Sequence, residues 1–343
     1  MDFCTLFLKH YARYPKLQIE DIFKFLHQGA MGPGHLISAA KDAEEGILRE
    51  MALAADSAPY PIETLGNFSR VPLFSLKPET MGKLLFLSAN EAAAGKETLL
   101  ENLGTVRSLI KEKKLPFSLE AFDKKAEKWA ADGFSPVHHS ETFRTLYAPF
   151  YRVIQSRFVP FLPLFREIDD RLHKGRSILA IEGGSGSGKT TLAALLQNVY
   201  GATVFHMDDF FLRPQLRTAE RYKELGGNID RERFLCEVLL PLKEGKPVSY
   251  RKFDCHTLSL SDPVTVIPEK LTVIEGAYSM HPAFAKFYDF SVFLDIGEAL
   301  QKDRIEKRNG DYAPVFFEKW IPMEKAYFEG TEIKKRCDLI VEI

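Results

Sequence analysis

Residues 177–190 read Ser-Ile-Leu-Ala-Ile-Glu-Gly-Gly-Ser-Gly-Ser-Gly-Lys-Thr. An apolar run leads directly into a glycine-rich segment, and that segment closes on Gly188, Lys189 and Thr190. Apolar residues then recur at helical spacing between positions 192 and 199. This order of strand, glycine-rich turn and helix predicts a phosphate-binding loop.

The residue types in this loop suit the phosphates of a nucleotide. Glycines allow backbone conformations in which the amides turn inward around phosphate oxygens. We expect Lys189 to reach the β- and γ-phosphates, Thr190 to offer its hydroxyl to Mg²⁺, and the next helix to direct its positive end at the anion. A chance match in a Gly/Ser-rich turn is the alternative, and the flanking strand and helix argue against it. The predicted ATP-binding residues are Gly183, Gly184, Ser185, Gly186, Ser187, Gly188, Lys189, Thr190 and Thr191.

The composition is that of a globular protein of two domains. Of 343 residues, 45% are hydrophobic and 27% charged, and 46 basic against 47 acidic residues leave a formal net charge of −1. This balance gives no electrostatic reason to expect nucleic acid or a membrane as a partner. The sequence shows neither a signal peptide nor a membrane span, so a cytoplasmic protein is expected. Its 4 cysteines form no CxxC pair, which argues against a zinc site or a disulfide framework.

The apolar pattern changes near residues 165–176. Before this point, helical spacing predominates, for example in residues 19–26 and 36–51, with a loop at 32–35 and one strand-like piece at 71–76. Residues 1–165 are therefore predicted to form a mainly α-helical domain.

After this point, short β-rich runs alternate with helical ones. Strands are predicted at 177–182, 203–207, 248–253, 271–275, 290–295 and 338–343, and helices at 189–200, 231–243, 280–287, 297–308 and 314–335. Such alternation is typical of a parallel sheet flanked by helices. Residues 170–343 are therefore predicted to form an α/β domain of the P-loop NTPase type.

Carboxylates follow two further predicted strands. Asp208 and Asp209 come after strand 203–207, and Glu275 ends strand 271–275. Because the carboxyl ends of parallel strands meet at one edge of a sheet, these groups are expected near the phosphate loop. A kinase needs one carboxylate to accept the acceptor's hydroxyl proton and others to help hold Mg²⁺. Such residues are also common in turns and helix caps, and that alternative stays open.

Residues 176–343 resemble the group of phosphate-loop kinases that contains uridine kinases, nicotinamide riboside kinases and phosphoribulokinases. The segments that carry the resemblance are 206–214, 228–234, 246–248 with 253–254, 271–277, 293–295 with Arg304 and Arg308, and 317–341. The resemblance implies ATP and Mg²⁺ as cofactors. It also implies a small-molecule acceptor with a hydroxyl group. It does not determine which acceptor is used, whether ATP or GTP is preferred, or the oligomeric state, and a homo-oligomer is compatible with it.

The resemblance also implies roles for individual residues. It makes Asp208 the catalytic base and Asp230 the group that holds ribose hydroxyls. It also assigns Glu275 to the metal site. The paired-aspartate pattern and the loop motif add Asp209 and Thr190 to the predicted metal ligands. Phe253 and Asp254 stand where uridine kinases have a Tyr-Asp pair, so one polar contact to a nucleoside is missing.

Two arginines are expected to act on the transferred phosphate together with Lys189. Arg304 and Arg308 lie four residues apart and correspond to the arginine-bearing lid of the family. The segment between Arg308 and Trp320 is shorter and poorer in arginine than that lid. A solvated helix face is the alternative for the neighbouring Lys302 and Lys307, which have acidic residues nearby.

Residues 1–165 carry no motif with a mechanism attached. His138, His139 and Glu141 could ligate a metal, although adjacent side chains diverge. Phe143, Tyr147 and Tyr151 recur at helical spacing, which favours core packing on a helix over a base-stacking platform. Two function classes follow from the sequence. The first is a small-molecule kinase, and the second is an ATPase with a regulatory or assembly role exerted through the N-terminal helices. Asp208 and Asp230 together favour the kinase, because an ATPase needs no carboxylate that holds a diol.

Overall fold

The computed structural model describes residues 2–33, 37, 39–54, 60–90 and 95–343. The chain divides into two compact units, Met1–Arg166 and Glu167–Ile343. Gly34 and His35 of the predicted first loop, and the start of the predicted second helix at Leu36, lie outside the described residues.

The first unit is largely helical, as predicted. Its helices are Phe3–Arg13, Ile19–Met31, Ala40–Leu53, Pro78–Asn90, Gly95–Lys111, Leu119–Ala131 and Glu141–Tyr147, and Leu162–Lys174 contains the boundary between the units. Their apolar faces enclose an aromatic core that includes Phe7, Phe23, Phe122 and Phe143, all fully buried. Burial of such large side chains is the main source of stability for this unit.

A small antiparallel sheet in the first unit corrects the prediction of a single strand at 71–76. Strands β1 (Glu63–Thr64), β2 (Phe68–Pro72) and β3 (Tyr151–Gln155) lie side by side in that order. Tyr151 was expected on a helix with Phe143 and Tyr147. The helix stops at Tyr147 because Ala148 takes the left-handed conformation at φ 40° and Pro149 follows, so the chain continues as a strand.

His139, the second histidine of the predicted pair, has a structural role. His139 is buried, and its Nδ1 lies 2.8 Å from Oδ1 of Asp21 while its Nε2 lies 2.6 Å from the hydroxyl of Tyr151. Both ring nitrogens are therefore engaged. No group of three or more His, Cys, Asp or Glu side chains is arranged to hold a metal ion in the described part of the chain.

The second unit is built on a parallel sheet of five strands, which confirms the predicted fold class. These are β4 (Ser177–Gly183), β5 (Thr203–His206), β10 (Leu271–Glu275), β11 (Phe290–Asp295) and β12 (Leu339–Glu342), in the order β12-β11-β4-β10-β5. The other strands in chain order are β6 (Val248–Tyr250), β7 (Phe253–Asp254), β8 (Ser259–Leu260) and β9 (Val264–Val266). The strand before the glycine-rich loop is central, so its carboxyl end lies between the ends of β10 and β11.

Helices accompany the strands of this sheet. They are Lys189–Tyr200, Ala219–Lys223, the continuous helical stretch 231–243, Glu298–Asn309, Ile321–Gly330 and Ile333–Arg336, with shorter turns between 310 and 320. Among the described residues, no helix is both long and apolar enough to cross a bilayer.

Three predicted elements of this unit are wrong in detail. The expected strand at 248–253 does not join the parallel sheet: β6 pairs antiparallel with β9, and β7 with β8. The expected helix at 280–287 is a series of turns, because the amides of His281 and Phe284 bond to carbonyls three residues earlier and Pro282 interrupts them. The expected helix at 314–335 is broken near 331–332, where Glu332 has a positive φ of 51°.

Candidate active site

The glycine-rich loop adopts a conformation that its sequence requires. Gly183 has φ 149°, and a Cβ there would lie 2.7 Å from the carbonyl oxygen of Leu294, so no side chain fits. Gly188 precedes the helix with φ 96°, and the helix begins at Lys189. The Lys189 ammonium donates to the carbonyl of Gly184 at 3.0 Å. The loop therefore brings a lysine and a helix N-terminus to one place, and both favour the binding of an anion.

Glu275 joins this loop to the end of the neighbouring strand. It pairs in register with Ile181 of β4 and with His206 of β5, and its side chain is buried. The Thr190 hydroxyl donates to its Oε1 at 3.0 Å, and Nδ1 of His206 lies 2.6 Å from the same oxygen. Because Glu275 favours the protonated ring, the pKa of His206 is raised. Sequence reasoning missed His206, although its position at the end of a strand was a usable signal.

The residues at this point partly fit the expected Mg²⁺. A threonine hydroxyl and a carboxylate are oxygen ligands of the kind that Mg²⁺ takes, usually with waters and substrate phosphates completing the shell. Thr190 and Glu275 are in hydrogen-bond contact and could hold the ion together. Asp209 is engaged elsewhere, because its Oδ2 lies 3.2 Å from the Lys252 ammonium.

Asp208 stands at the end of β5, in the turn Met207–Phe210. Its side chain is accessible to solvent and makes no hydrogen bond with any residue that the structure describes. The pKa of Asp208 is raised, mainly because surrounding protein reduces its hydration; Lys189 acts in the opposite direction, and Glu275 adds to the rise. An accessible carboxylate with a raised pKa has the properties of a general base.

Asp230 occupies a different kind of position. It is only 3% exposed and caps the helix that begins at Arg231, its Oδ1 accepting from the amide of Arg233 at 3.2 Å. The Nε atoms of Arg213 and Arg233 lie 3.6 and 3.5 Å from its Oδ2. The predicted role in holding ribose hydroxyls therefore competes with a capping and ion-pairing role.

The predicted pair Phe253 and Asp254 lies in the small hairpin of β7 and β8. Phe253 is buried, and the guanidinium of Arg217 lies 5.6 Å from its ring centre. Asp254 is exposed and accepts from the amides of His256 and Thr257 at 2.7 and 3.3 Å. Asp254 therefore stabilises a turn, which is the common role of aspartate after a strand.

The two arginines are not equivalent in the structure. Arg304 donates from Nη1 to the carbonyl of Gly186 at 3.0 Å, so it touches the phosphate loop. Arg308 is exposed, donates to Asn309 at 3.0 Å and lies over the ring of Phe316. The neighbouring lysines lie on a solvated helix face, the alternative considered for them in the sequence. Each pairs with an acidic residue four positions away along the same helix: Lys302 with Glu306 and Lys307 with Asp303.

Two buried glutamates, Glu324 and Glu182, accept hydrogen bonds from the glycine-rich loop, and the sequence analysis identified neither. Glu324 accepts from the amide and the hydroxyl of Ser185 at 2.9 and 2.6 Å, while Nε2 of Gln301 donates to the Ser185 carbonyl at 2.8 Å. Burial raises the pKa of Glu324. Ser185 is thus bound from two helices that follow β11.

Glu182 lies directly before the loop and is fully buried. Its carboxylate accepts from the amides of Gly183, Tyr278 and Met280 at 3.0, 3.1 and 3.0 Å, and from the Tyr327 hydroxyl at 3.2 Å. Burial raises the pKa of Glu182 to about 7. In the sequence, Glu182 lies in an apolar strand at a position where an apolar residue is expected. That unexpected charge was the only indication in the sequence that Glu182 has a special role.

Comparison with known proteins locates the similarity in this unit. Residues 178–309 match the model of the Phosphoribulokinase / Uridine kinase family, which confirms for that part of the chain the resemblance seen in the sequence. The phosphoribulokinase of Synechocystis sp. is 30% identical over 144 residues, 38% of this chain and 42% of that protein. The chloroplastic phosphoribulokinase of Spinacia oleracea is 27% identical over 48% of each chain.

A uridine kinase and a solved structure are also similar. The uridine kinase of Staphylococcus epidermidis is 28% identical over 48% of this chain and 86% of its own length. A solved structure described as a possible uridine kinase from Bacillus stearothermophilus is 26% identical, with a TM-score of 0.39 over 51% of this chain and 99% of that one. The chain thus spans 42% and 48% of the length of the two phosphoribulokinases.

Proposed function

We propose that the second unit is an ATP- and Mg²⁺-dependent kinase that transfers the γ-phosphoryl group to a hydroxyl of a small acceptor, a nucleoside or a related ribose- or sugar-containing molecule. One observation carries the proposal. The accessible carboxylate of Asp208 lies at the end of β5, beside the β10 strand end whose Glu275 contacts the phosphate loop through Thr190. A base, a metal-holding pair and a phosphate loop at one sheet edge are the parts that phosphoryl transfer requires.

In the proposed reaction, loop amides and Lys189 bind the nucleotide phosphates and lower the cost of charge that spreads over the γ-phosphoryl oxygens. Mg²⁺, when held by Thr190 and Glu275, would supply further neutralisation of that charge. Asp208 accepts the proton of the acceptor hydroxyl as its oxygen forms a bond to the γ-phosphorus, and the bond from phosphorus to the β-γ bridging oxygen breaks to release ADP.

We expect Arg304 and Arg308 to contribute differently to the proposed reaction, because Arg304 is the one of the two that contacts the loop among the described residues. Arg304 already touches the loop carbonyl of Gly186, so its guanidinium lies beside the proposed phosphate site. Arg308 is exposed and lies over the ring of Phe316, and its contacts are with Phe316 and Asn309 rather than with the loop. Removal of the Arg304 charge should therefore affect transfer more than removal of the Arg308 charge.

The acceptor defines the test of the proposal. The similar proteins are named for different acceptors, a nucleoside in one case and a phosphorylated sugar in the other, so the similarity supports a kinase more strongly than any one substrate. ADP release is measured with the whole chain, ATP and Mg²⁺ against a panel of ribonucleosides, nicotinamide riboside, pantothenate and sugar phosphates. Stimulation by at least one acceptor is expected, and ADP release that no acceptor changes would favour the ATPase alternative.

A further inference from the structure

A cavity of about 270 Å³ lies at the amino ends of β4 and β10, the edge of the parallel sheet opposite the phosphate loop. Ser177, the first residue of β4, and Thr272 of β10 line it, and both are buried. β4 runs from this cavity to Gly183 of the loop, and a strand of 7 residues spans about 20 Å. The cavity is therefore separate from the candidate active site.

Four cations from four segments of the chain line this cavity. They are Arg176 before β4, Lys243 at the end of a helix, Lys270 before β10 and Lys286 in the turn before β11. A cation in the last turn of a helix is favourable in itself, which accounts for Lys243. No helix end accounts for the other three, so the fold gathers positive charge here from separate places in the sequence.

These cations have no carboxylate partners. None of the four forms an ion pair with a carboxylate of the second unit, all of which the structure describes, whereas the nearby Lys246 pairs with Glu244 at 2.7 Å. Two carboxylates, Glu269 and Asp289, also line the cavity, and Asp289 already accepts from the amide of Ile178 at 2.8 Å. The cavity thus carries an excess of positive charge, which favours an anionic occupant.

Three of the cations lie around the end of one helix. The Nζ atoms of Lys243 and Lys286 lie 5.6 and 5.4 Å from the ring centre of Phe287, which is buried. A Cβ placed on Gly245, two residues after Lys243, would lie 3.7 Å from Nη1 of Arg176. Like charges repel one another, so an anion between these groups would relieve their repulsion as well as bind to them.

The size of the cavity narrows the class of anion. Its volume is just below the range of about 300–1,000 Å³ of pockets that hold drug-sized ligands, which favours an occupant smaller than a nucleotide. Leu242 and Phe287 supply apolar surface beside the cations. A phosphate group accepts charge-assisted hydrogen bonds from several cations at once, and such bonds are the strong ones. A phosphate carried on a small carbon skeleton suits both the charge and the apolar surface.

We propose that this cavity binds a small molecule through a phosphate group, and that Arg176, Lys243 and Lys286 hold the phosphate. Lys270 adds to the positive potential, and Phe287 contacts the carbon part of the ligand. Because the site is at the other end of β4, its ligand is neither the nucleotide nor the acceptor of the proposed reaction. Binding at this site does not depend on whether the second unit transfers phosphate.

The test is calorimetric titration of the full-length chain with inorganic phosphate, ribose 5-phosphate and ribose at low ionic strength, where charge is screened least. All titrations use a Lys189→Ala background, which removes the lysine of the phosphate loop and so weakens binding of phosphate there. The cavity variant adds Lys243→Gln and Lys286→Gln. Melting temperatures are measured for every chain, and Lys286→Gln alone replaces the pair if the pair does not fold.

The matched control adds Lys246→Gln and Lys302→Gln instead, which removes the same charge from two exposed lysines that pair with glutamates. The control should bind phosphate and ribose 5-phosphate as the Lys189→Ala background does. The cavity variant should bind both about tenfold or more weakly, since charge-assisted hydrogen bonds are lost. Ribose, which carries no phosphate, should not distinguish the two variants.

The two phosphate probes also separate the sources of the phosphate group. Equal affinities would show that free phosphate suffices, and tighter binding of ribose 5-phosphate would show that the carbon part contributes; either result supports the site. An equal loss of affinity in the cavity and control variants would show a general effect of charge and overturn the proposal. So would the absence of phosphate and ribose 5-phosphate binding in both wild type and the Lys189→Ala background.

Discussion

The hydroxyl of Thr190 donates a 3.0 Å hydrogen bond to Oε1 of Glu275 and so joins the phosphate loop to the neighbouring strand end. Thr190 is the second residue of the helix after the loop, and Glu275 is the last residue of β10, the strand that lies beside β4. Two groups from separate elements are thereby held at one point. In the proposed kinase, this pair would offer Mg²⁺ two ligands that already lie next to each other.

Glu275→Gln should raise the Mg²⁺ concentration needed for half-maximal activity by about tenfold or more, because a neutral amide is a poorer ligand than a carboxylate. A magnesium titration at saturating ATP measures the change. Asp254→Asn is the control, since Asp254 serves a turn and its loss should leave the titration as in wild type. An equal shift in both variants would argue against a metal role for Glu275.

Lys189→Ala should remove most of the transfer activity while the fold is kept. Lys189 contacts the loop carbonyl of Gly184 in this structure and is expected to meet charge on the γ-phosphoryl group during transfer. Loss of such a contact costs on the order of 3 kcal/mol, or about a hundredfold in rate. Lys302→Ala, which removes an exposed lysine paired with Glu306, is the matched control. If Lys189→Ala transferred phosphate at the wild-type rate, the assignment of residues 183–190 as a phosphate-binding loop would be wrong.

The fold of the second unit was predictable because its signals are local in the sequence. The glycine-rich loop follows an apolar strand and precedes a helix, and each main strand is a short apolar run that ends in a turn signal. The strand at 248–253 was misplaced because its apolar run cannot show whether it joins the central sheet or a hairpin; that choice depends on pairing with Val264–Val266.

The candidate site was predictable only where strand ends carry its residues. Asp208 and Glu275 follow strands, and parallel topology brings such ends together. Glu324 lies 139 residues after Ser185, and its contact depends on how the last helices pack on the loop. Its position in a helical pattern gave no sign of that contact.

Glu182 should make the stability of the second unit depend on pH. Its folded-state pKa of about 7 lies above the unfolded value near 4.5, so the folded state binds the proton more tightly. The stabilisation is therefore fully present below about pH 4.5 and is lost as pH rises through 7, with an amplitude on the order of 3 kcal/mol at most. Thermal melts of wild type and Glu182→Gln between pH 5 and 8 measure it. The wild type should lose stability relative to the variant as pH rises, and parallel curves would contradict the assignment.

The second unit should bind ATP without the first. Residues Glu167–Ile343 form a compact unit that contains every proposed site residue. A fragment of residues 162–343 keeps the whole helix Leu162–Lys174 and the hydrogen bond from Tyr200 to Asp169. Calorimetric titration with ATP, with the Lys189→Ala fragment as control, should give an affinity close to that of the whole chain. A fragment that is folded by circular dichroism but does not bind ATP would show that the first unit completes the site.

The central claim, that Asp208 is the base of a kinase, is tested most directly by following phosphoryl transfer from labelled ATP to an acceptor in wild type, Asp208→Asn and Asp209→Asn side by side. Asp208 is accessible and free of hydrogen bonds to the described residues, whereas Asp209 lies 3.2 Å from the Lys252 ammonium. Asp208→Asn should lower acceptor phosphorylation by about 10²- to 10⁴-fold with little change in ATP affinity, and Asp209→Asn should have a milder effect. Full transfer by Asp208→Asn together with its loss in Asp209→Asn would contradict the account.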